Sequence, residues 1–352
     1  MLGKNLKYHR LKSHMTKKSL AEAVGVTPMA ITHYENNDRT PNMDMLKKLA
    51  KALGIRVTDF LEPSGKKLEF SHGKFRKGSK LGEMNQEFIK ESVEEYFGRF
   101  FQVLGFLGGT EVLEKAPLPN SLQWTYDTEE AGKMLREYLD IPKSGPTCKL
   151  VETLENKGIL VFFLNIDSQY FSGMNGTVEG IPYIVINGTM STERIRSTIV
   201  HEIAHFAFQW PESLSDSDEE SIATAISGAF LLPREDAVRE LGYKRTYISK
   251  SMTMTCKEYG ISMYMLVKRA RICGIINESL EKAFYIKAGK CGWRTKEPNW
   301  GYEENEPQLF AQLVYRAVTE DEISAQKGAE LLKLSYESVV KECFNQEMPW
   351  NT

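Results

Sequence analysis

Apolar positions recur at helical spacing along most of this chain. Near its start they fall in short stripes: Leu6, Leu11, Leu20, Ala21, Val24, Val26, Ile31, Tyr34, Leu46, Leu49, Ala50, Leu53, Ile55, Phe60 and Leu61. Such stripes predict a bundle of short helices. Within it, one helix should close at Gly25 and the next should be capped by Thr27, the tight turn of a helix-turn-helix whose second helix enters the major groove. Further helices are predicted over residues 85–103 and 127–138, the latter capped by Asp127 or Thr128. Two apolar runs, 159–164 and 183–186, predict strands on either side of the stretch 173–180. Residues 194–208 then form an amphipathic helix with Ile195, Ile199, Val200, Ile203 and Phe206 as its stripe and Ser191 or Thr192 as its cap. An acidic turn, Asp216-Ser217-Asp218-Glu219-Glu220, opens another helix that stops at Pro233. A second helix-turn-helix-like unit turns at Gly260 within 259–276. Trp293, Pro298, Trp300 and Pro307 mark an irregular segment before helices over 309–317 and 325–334. The fold class is α+β: an all-α N-terminal domain, a middle domain with a small sheet, and a helical C-terminal region.

The 352 residues leave room for several domains. The pattern divides them into 1–62, a linker and long helix over 63–118, the sheet-bearing domain over 119–240, a helical subdomain over 241–280, and a helical tail over 281–352. Pro63, Ser64 and Gly65 read as a flexible exit from the first block, and Lys74, Arg76 and Lys77 as a basic linker. Residues 1–62 hold 11 Lys/Arg and 6 Asp/Glu, a net of +5; the whole chain has 45 and 47, a net of −2, so the remainder carries −7. A basic module on an acidic body fits phosphate binding at one end. The same fold could instead serve protein contacts. No long uncharged apolar run or signal-peptide core is present, and the five cysteines lack CxxC spacing, so the expectation is a cytoplasmic chain with free thiols and no membrane.

The chemistry concentrates in His201-Glu202-Ile203-Ala204-His205. Residues four apart share a helix face, so both imidazoles can point at one ion. Zinc takes imidazole nitrogen at about 2.0–2.1 Å, and a catalytic site uses three protein ligands. Glu202 follows the first histidine, where its carboxylate can serve as general base toward water. Two histidines and a glutamate among apolar residues are costly unless something binds them. The acidic turn offers the third ligand. Glu220 shares its face with the small residues Ala223, Thr224 and Ser227, which would let the two helices approach closely. Glu219 lies above Ile222 and Ile226, a face that should turn into the core, and is the second choice. Residues 183–187 run toward the active helix, as a shelf for an extended substrate by strand addition or as an ordinary core strand.

The pattern His201-Glu202-xx-His205, then Glu220-xx-Ala223 and Leu231-Leu232-Pro233, resembles the ImmA/IrrE-type metallopeptidases. Residues 150–159 are similar to that family's leucine-rich helix ending in Glu-x-x-Gly-Ile. The resemblance implies a zincin-like domain in which His201, His205 and Glu220 bind zinc and Glu202 is the base. The chain departs from the family at Ile226, Thr224 and before Pro233, none of them a ligand. Residues 1–62 are similar to the XRE/Cro-type DNA-binding domain, with its tail at Ile31-Thr32-His33-Tyr34-Glu35-Asn36. That similarity implies a recognition helix presenting Thr27, Met29, Ala30, Thr32 and His33. Lys17 stands where the family often carries a glutamine, and with Asn37, Arg39 and Thr40 it is a backbone-contact candidate.

Together these point to a zinc endopeptidase fused to a DNA-binding domain. Its partners are an operator, through residues 1–62, and a protein substrate, an XRE-type repressor by the family's habit; a homodimer is open. The alternative is a transcriptional repressor or antitoxin-like regulator whose peptidase-like body senses a partner without turnover.

Overall fold

In a computed structural model, the described residues are 2–61, 68–73, 81–293, 296–304 and 306–344. The exit at 63–67 and the basic stretch 74–77 lie outside them. Contacts divide the chain into two compact units, one of 1–70, 78–112 and 310–352, the other of 71–77 and 113–309.

The first unit begins with α1 (Leu2–Lys12), α2 (Lys17–Val24), α3 (Pro28–Glu35) and α4 (Met43–Leu53). Leu6, Leu20, Ala21, Ile31, Leu49 and Phe60 are wholly buried between them. Helix α2 ends at Gly25, held left-handed at φ 77°, where the N–H bonds back to the Ala21 carbonyl. Glycine meets that conformation without steric cost. Thr27 then caps α3, its Oγ1 accepting the Ala30 N–H at 3.2 Å, with Pro28 opening the helix. A buried ion pair ties the bundle together: Arg10 Nε and Nη2 donate to the Glu35 carboxylate at 2.5 and 3.2 Å, and Nη1 to the Met15 carbonyl. With most donors satisfied, this pair tolerates burial that either charge alone would not.

Helix α5 (Glu83–Phe106) runs beside α1, with Lys7 bridging Glu87 and Glu91 and Lys4 reaching Glu94. Its other neighbours come from the far end of the sequence: α14 (Leu309–Thr319), α15 (Ala325–Leu332) and α16 (Tyr336–Phe344). Phe310 packs on Tyr96 and Phe100, Arg99 donates to the Leu331 carbonyl, and Lys333 pairs with Glu95 at 2.7 Å.

The second unit holds a four-stranded sheet in the order β1-β3-β4-β2. Strand β1 is Phe70–His72, β2 Leu160–Leu164, β3 Gly173–Val178 and β4 Ile181–Asn187. β4 pairs parallel with β2 and antiparallel with β3, placing Gly176 opposite Tyr183. Glu179 and Gly180, both at positive φ (50° and 79°), make the two-residue hairpin turn between β3 and β4. The stretch 173–180, expected only to separate two strands, is therefore mostly a strand itself. Two glycines and an asparagine in six positions gave it no β signal. β4 is flanked on both sides and its residues after Ile181 are buried, so it is a core strand and cannot be the substrate shelf.

Helices α6 (Thr128–Tyr138), α7 (Leu150–Glu155), α8 (Thr192–Ala207) and α9 (Asp216–Leu231) cover this sheet or pack on one another. Val161, Ile184 and Ile186 meet Ile195, Ile199 and Ile203 of α8, and the core continues through Ala223, Ile226 and Phe230 of α9 to Leu135 of α6. Behind them lie α10 (Arg234–Leu241), α11 (Met252–Tyr259), α12 (Met263–Ile272) and α13 (Glu278–Lys290). Gly260, left-handed at φ 61°, and the Ser262 cap form the turn between α11 and α12. These helices serve packing: Arg269 of α12 grips Glu129 at 2.7 and 2.9 Å and donates to the Leu232 carbonyl.

Candidate metal centre

Helix α8 starts at Ser191, whose Oγ accepts the Arg194 N–H. From there its apolar stripe faces the sheet and carries His201 and Glu202 inward, both buried, with His205 half-buried one turn on. Helix α9, capped by Ser215, lies alongside, and the small Ala223 and Ser227 are buried in the contact. His201, His205 and Glu220 come together, each offering one donor atom, all within 4.8 Å of one another. His201 Nε2 is 3.1 Å from His205 Nε2 and 3.1 Å from Glu220 Oε2; His205 Nε2 is 3.8 Å from Glu220 Oε1. Donors around one tetrahedral zinc at about 2.0–2.1 Å would stand roughly 3.3 Å apart. The spacing fits.

Hydrogen bonding behind the donors fits as well. The Thr224 hydroxyl has one proton, and its Oγ1 donates to the Glu220 carbonyl at 2.9 Å, so toward His201 Nδ1 at 3.3 Å it accepts. The Glu219 carboxylate, 2.8 Å from His205 Nδ1, can only accept. A neutral imidazole at either position would then carry its proton on Nδ1, which turns two Nε2 lone pairs and a carboxylate toward one point. Such a convergence is repulsive until a cation sits within it, and a carboxylate or hydroxyl behind a ligating histidine is the usual way of fixing its ring.

Glu219 thus departs from its expected place. It is half-buried at the site, while Ile226 takes the core position and Ile222 is half-buried. A helix turns about 100° per residue, so neighbours 219 and 220 can face one centre from different depths. Sequence reasoning treated them as rivals and missed the role of the second.

Glu202 points elsewhere, its Oε2 accepting from Asn175 Nδ2 of β3 at 2.9 Å. Spacing explains the pairing. Alternate strand residues advance about 6.6 Å and residues four apart on a helix about 6 Å. So β3 and α8 keep step: a Cβ on Gly173 would fall 2.8 Å from Thr198 Cγ2, and two residues on, Asn175 meets Glu202. Nothing in the sequence marked Asn175, because β3 itself was not visible. Trp210, also unforeseen, lies against the His205 ring at 5.5 Å between centroids, backed by Trp124 at 4.9 Å.

In the helix-turn-helix, Met29 is exposed on α3, and Arg39, Asn37 and Thr40 are exposed beyond it. Thr32 and His33 are half-buried, Thr32 bonding the Pro28 carbonyl and His33 lying 3.2 Å from Asp38. Lys17 Nζ is 3.6 Å from Glu35, and Asn37 Oδ1 accepts the Gly3 N–H, so both already have partners within the protein.

A bundle that presents one helix beyond a tight turn, and a two-histidine, one-glutamate centre beside a glutamate on the same helix, define a DNA-binding domain joined to a metallopeptidase-like domain. Family models agree: residues 6–60 match the helix-turn-helix model and residues 154–271 the IrrE N-terminal-like domain. The chain thus carries one region similar to each of these two models. Curated proteins and solved structures give no significant match. Among the described residues no helix is long and apolar enough to cross a membrane.

Proposed function

We propose that the chain is a DNA-binding zinc endopeptidase that cuts a regulatory protein, an XRE-type repressor by preference, and so controls transcription. The observation that carries this reading is the convergence of one donor atom each from His201, His205 and Glu220 next to a buried Glu202. Zinc, when bound by these three, supplies Lewis acidity that polarises a peptide carbonyl and makes water easier to deprotonate. Glu202 takes the proton of the attacking water and returns it to the departing amine. Asn175 donates to one Glu202 oxygen, which leaves the other to take and return that proton. Thr224 and Glu219 hold the imidazole rings so that Nε2 faces the ion. The helix-turn-helix brings this activity to an operator, with Met29, Thr32 and His33 toward bases and Lys17 and Arg39 toward phosphates.

The test is incubation of the purified protein with a repressor encoded beside its gene, with and without chelator. Cleavage that stops on chelation and returns with zinc supports the reading. An intact repressor under every condition, with zinc bound, leaves a DNA-binding sensor without turnover.

A further inference from the structure

The outer edge of β3 is the sheet edge beside Glu202, and the chain covers that edge with its own β1. Asn175 is where the two functions meet: its side chain holds Glu202, while its backbone carbonyl accepts the Gly73 N–H at 2.8 Å. The covering strand is received by a built dock. Gly176 has no side chain, and a Cβ there would lie 2.5 Å from both the Ser71 carbonyl oxygen and the Tyr183 hydroxyl. Through that gap the buried Tyr183 of β4 passes its hydroxyl across β3 to His72 Nδ1 at 2.7 Å. A strand edge presents a row of backbone donors and acceptors that any extended peptide can fill. Ser71 is exposed and its neighbours are half-buried, and partly solvated edge segments belong to the part of a fold that opens most readily.

We propose that residues 70–73 are a built-in competitor strand: they occupy the β3 edge where an extended substrate peptide would add, and must be displaced before one can be presented to Glu202. The proposal deepens the peptidase reading and rests on it for the word substrate, although the exchange of strands itself does not.

The test uses the full-length chain in a Glu202→Gln background, so that binding is read without turnover. The probe is a fluorescent, end-blocked peptide with the sequence of residues 68–73, Leu-Glu-Phe-Ser-His-Gly. Gly73→Pro removes the N–H given to Asn175, and His72→Phe removes the bond to Tyr183 while leaving the backbone intact. Each should tighten peptide binding about 2- to 10-fold, the worth of one hydrogen bond, and speed amide exchange in β3. Equal affinity and equal exchange in the parent and in His72→Phe overturns the proposal, even where the proline variant misfolds. Tighter binding together with no cleavage by the Glu202-containing chain upholds the competitor strand and sinks the peptidase reading instead.

Discussion

On the proposed reading, single side chains would decide whether the centre binds a metal and whether it reacts. Glu202→Gln keeps the hydrogen bond from Asn175 but cannot take a proton, so cleavage should fall by roughly 10²–10⁴-fold while bound zinc is unchanged. Metal analysis beside a cleavage assay reads both, and undiminished cleavage would remove this motif from the chemistry. Glu220→Ala should lose the metal. Glu219→Gln should keep it, but more weakly by about 10–100-fold, the effect of loosening a group behind a ligand; equal loss in both variants would make Glu219 a ligand in its own right. Away from the centre, Glu155 is pushed by burial from 4.5 to about 7, against the Gln308 and Leu309 N–H groups it accepts. Its folded form keeps a proton that the unfolded chain has lost above about 4.5, so stability is present below that pH and declines as pH rises to about 7. Glu155→Gln should flatten this decline, by about 2–3 kcal/mol between pH 4.5 and 7. Parallel melting curves of the two proteins across that range would contradict it.

Elements differ in how plainly the sequence announces them. Helices α2, α3, α8 and α9 were legible because each carries an apolar stripe and a hydroxyl cap, and because His201 and His205 fall on one helical face. β3 was not, since Gly173, Asn175 and Gly176 serve close packing against Thr198, Glu202 and Tyr183 rather than β propensity. With β3 hidden, Asn175 was hidden too, and β4 could be read as a substrate shelf or as a core strand alike. The long α5 was read, but nothing in its local pattern says that its partners lie some 200 residues on, a distance only tertiary contact reveals. At this scale α3 makes its own prediction. Binding of the full chain to its operator should weaken with salt, each phosphate contact contributing a slope of about −0.9 on a log–log plot. Lys17→Ala should lower affinity for every sequence alike, whereas Met29→Ala or Thr32→Ala should change which sequence is preferred. A Lys17 variant with unaltered affinity would mean that its ion pair with Glu35 is its whole task.

At the scale of the molecule, the chain order and the unit order disagree. The unit that carries the helix-turn-helix draws α14–α16 from the far end of the sequence, and most of the unit with the candidate centre, residues 113–309, is spelled out before them. A chain ending at residue 309 lacks the groups that Phe100, Arg99 and Glu95 hold. It should lose stability and operator affinity in the first unit while still binding one zinc, which metal analysis and a DNA-binding titration can separate. Retained operator affinity in that shortened chain would show that α1–α4 suffice.

The interleaving also sets a timetable. Ribosomes deliver residues in sequence, and domains generally fold as they emerge. Helices α1–α4 emerge before the unit with the candidate centre, and the helices that brace α5 emerge after it. A chain stopped before α14 has already made the helix-turn-helix and every residue of the candidate centre, yet its first unit lacks the partners of Tyr96, Phe100 and Glu95.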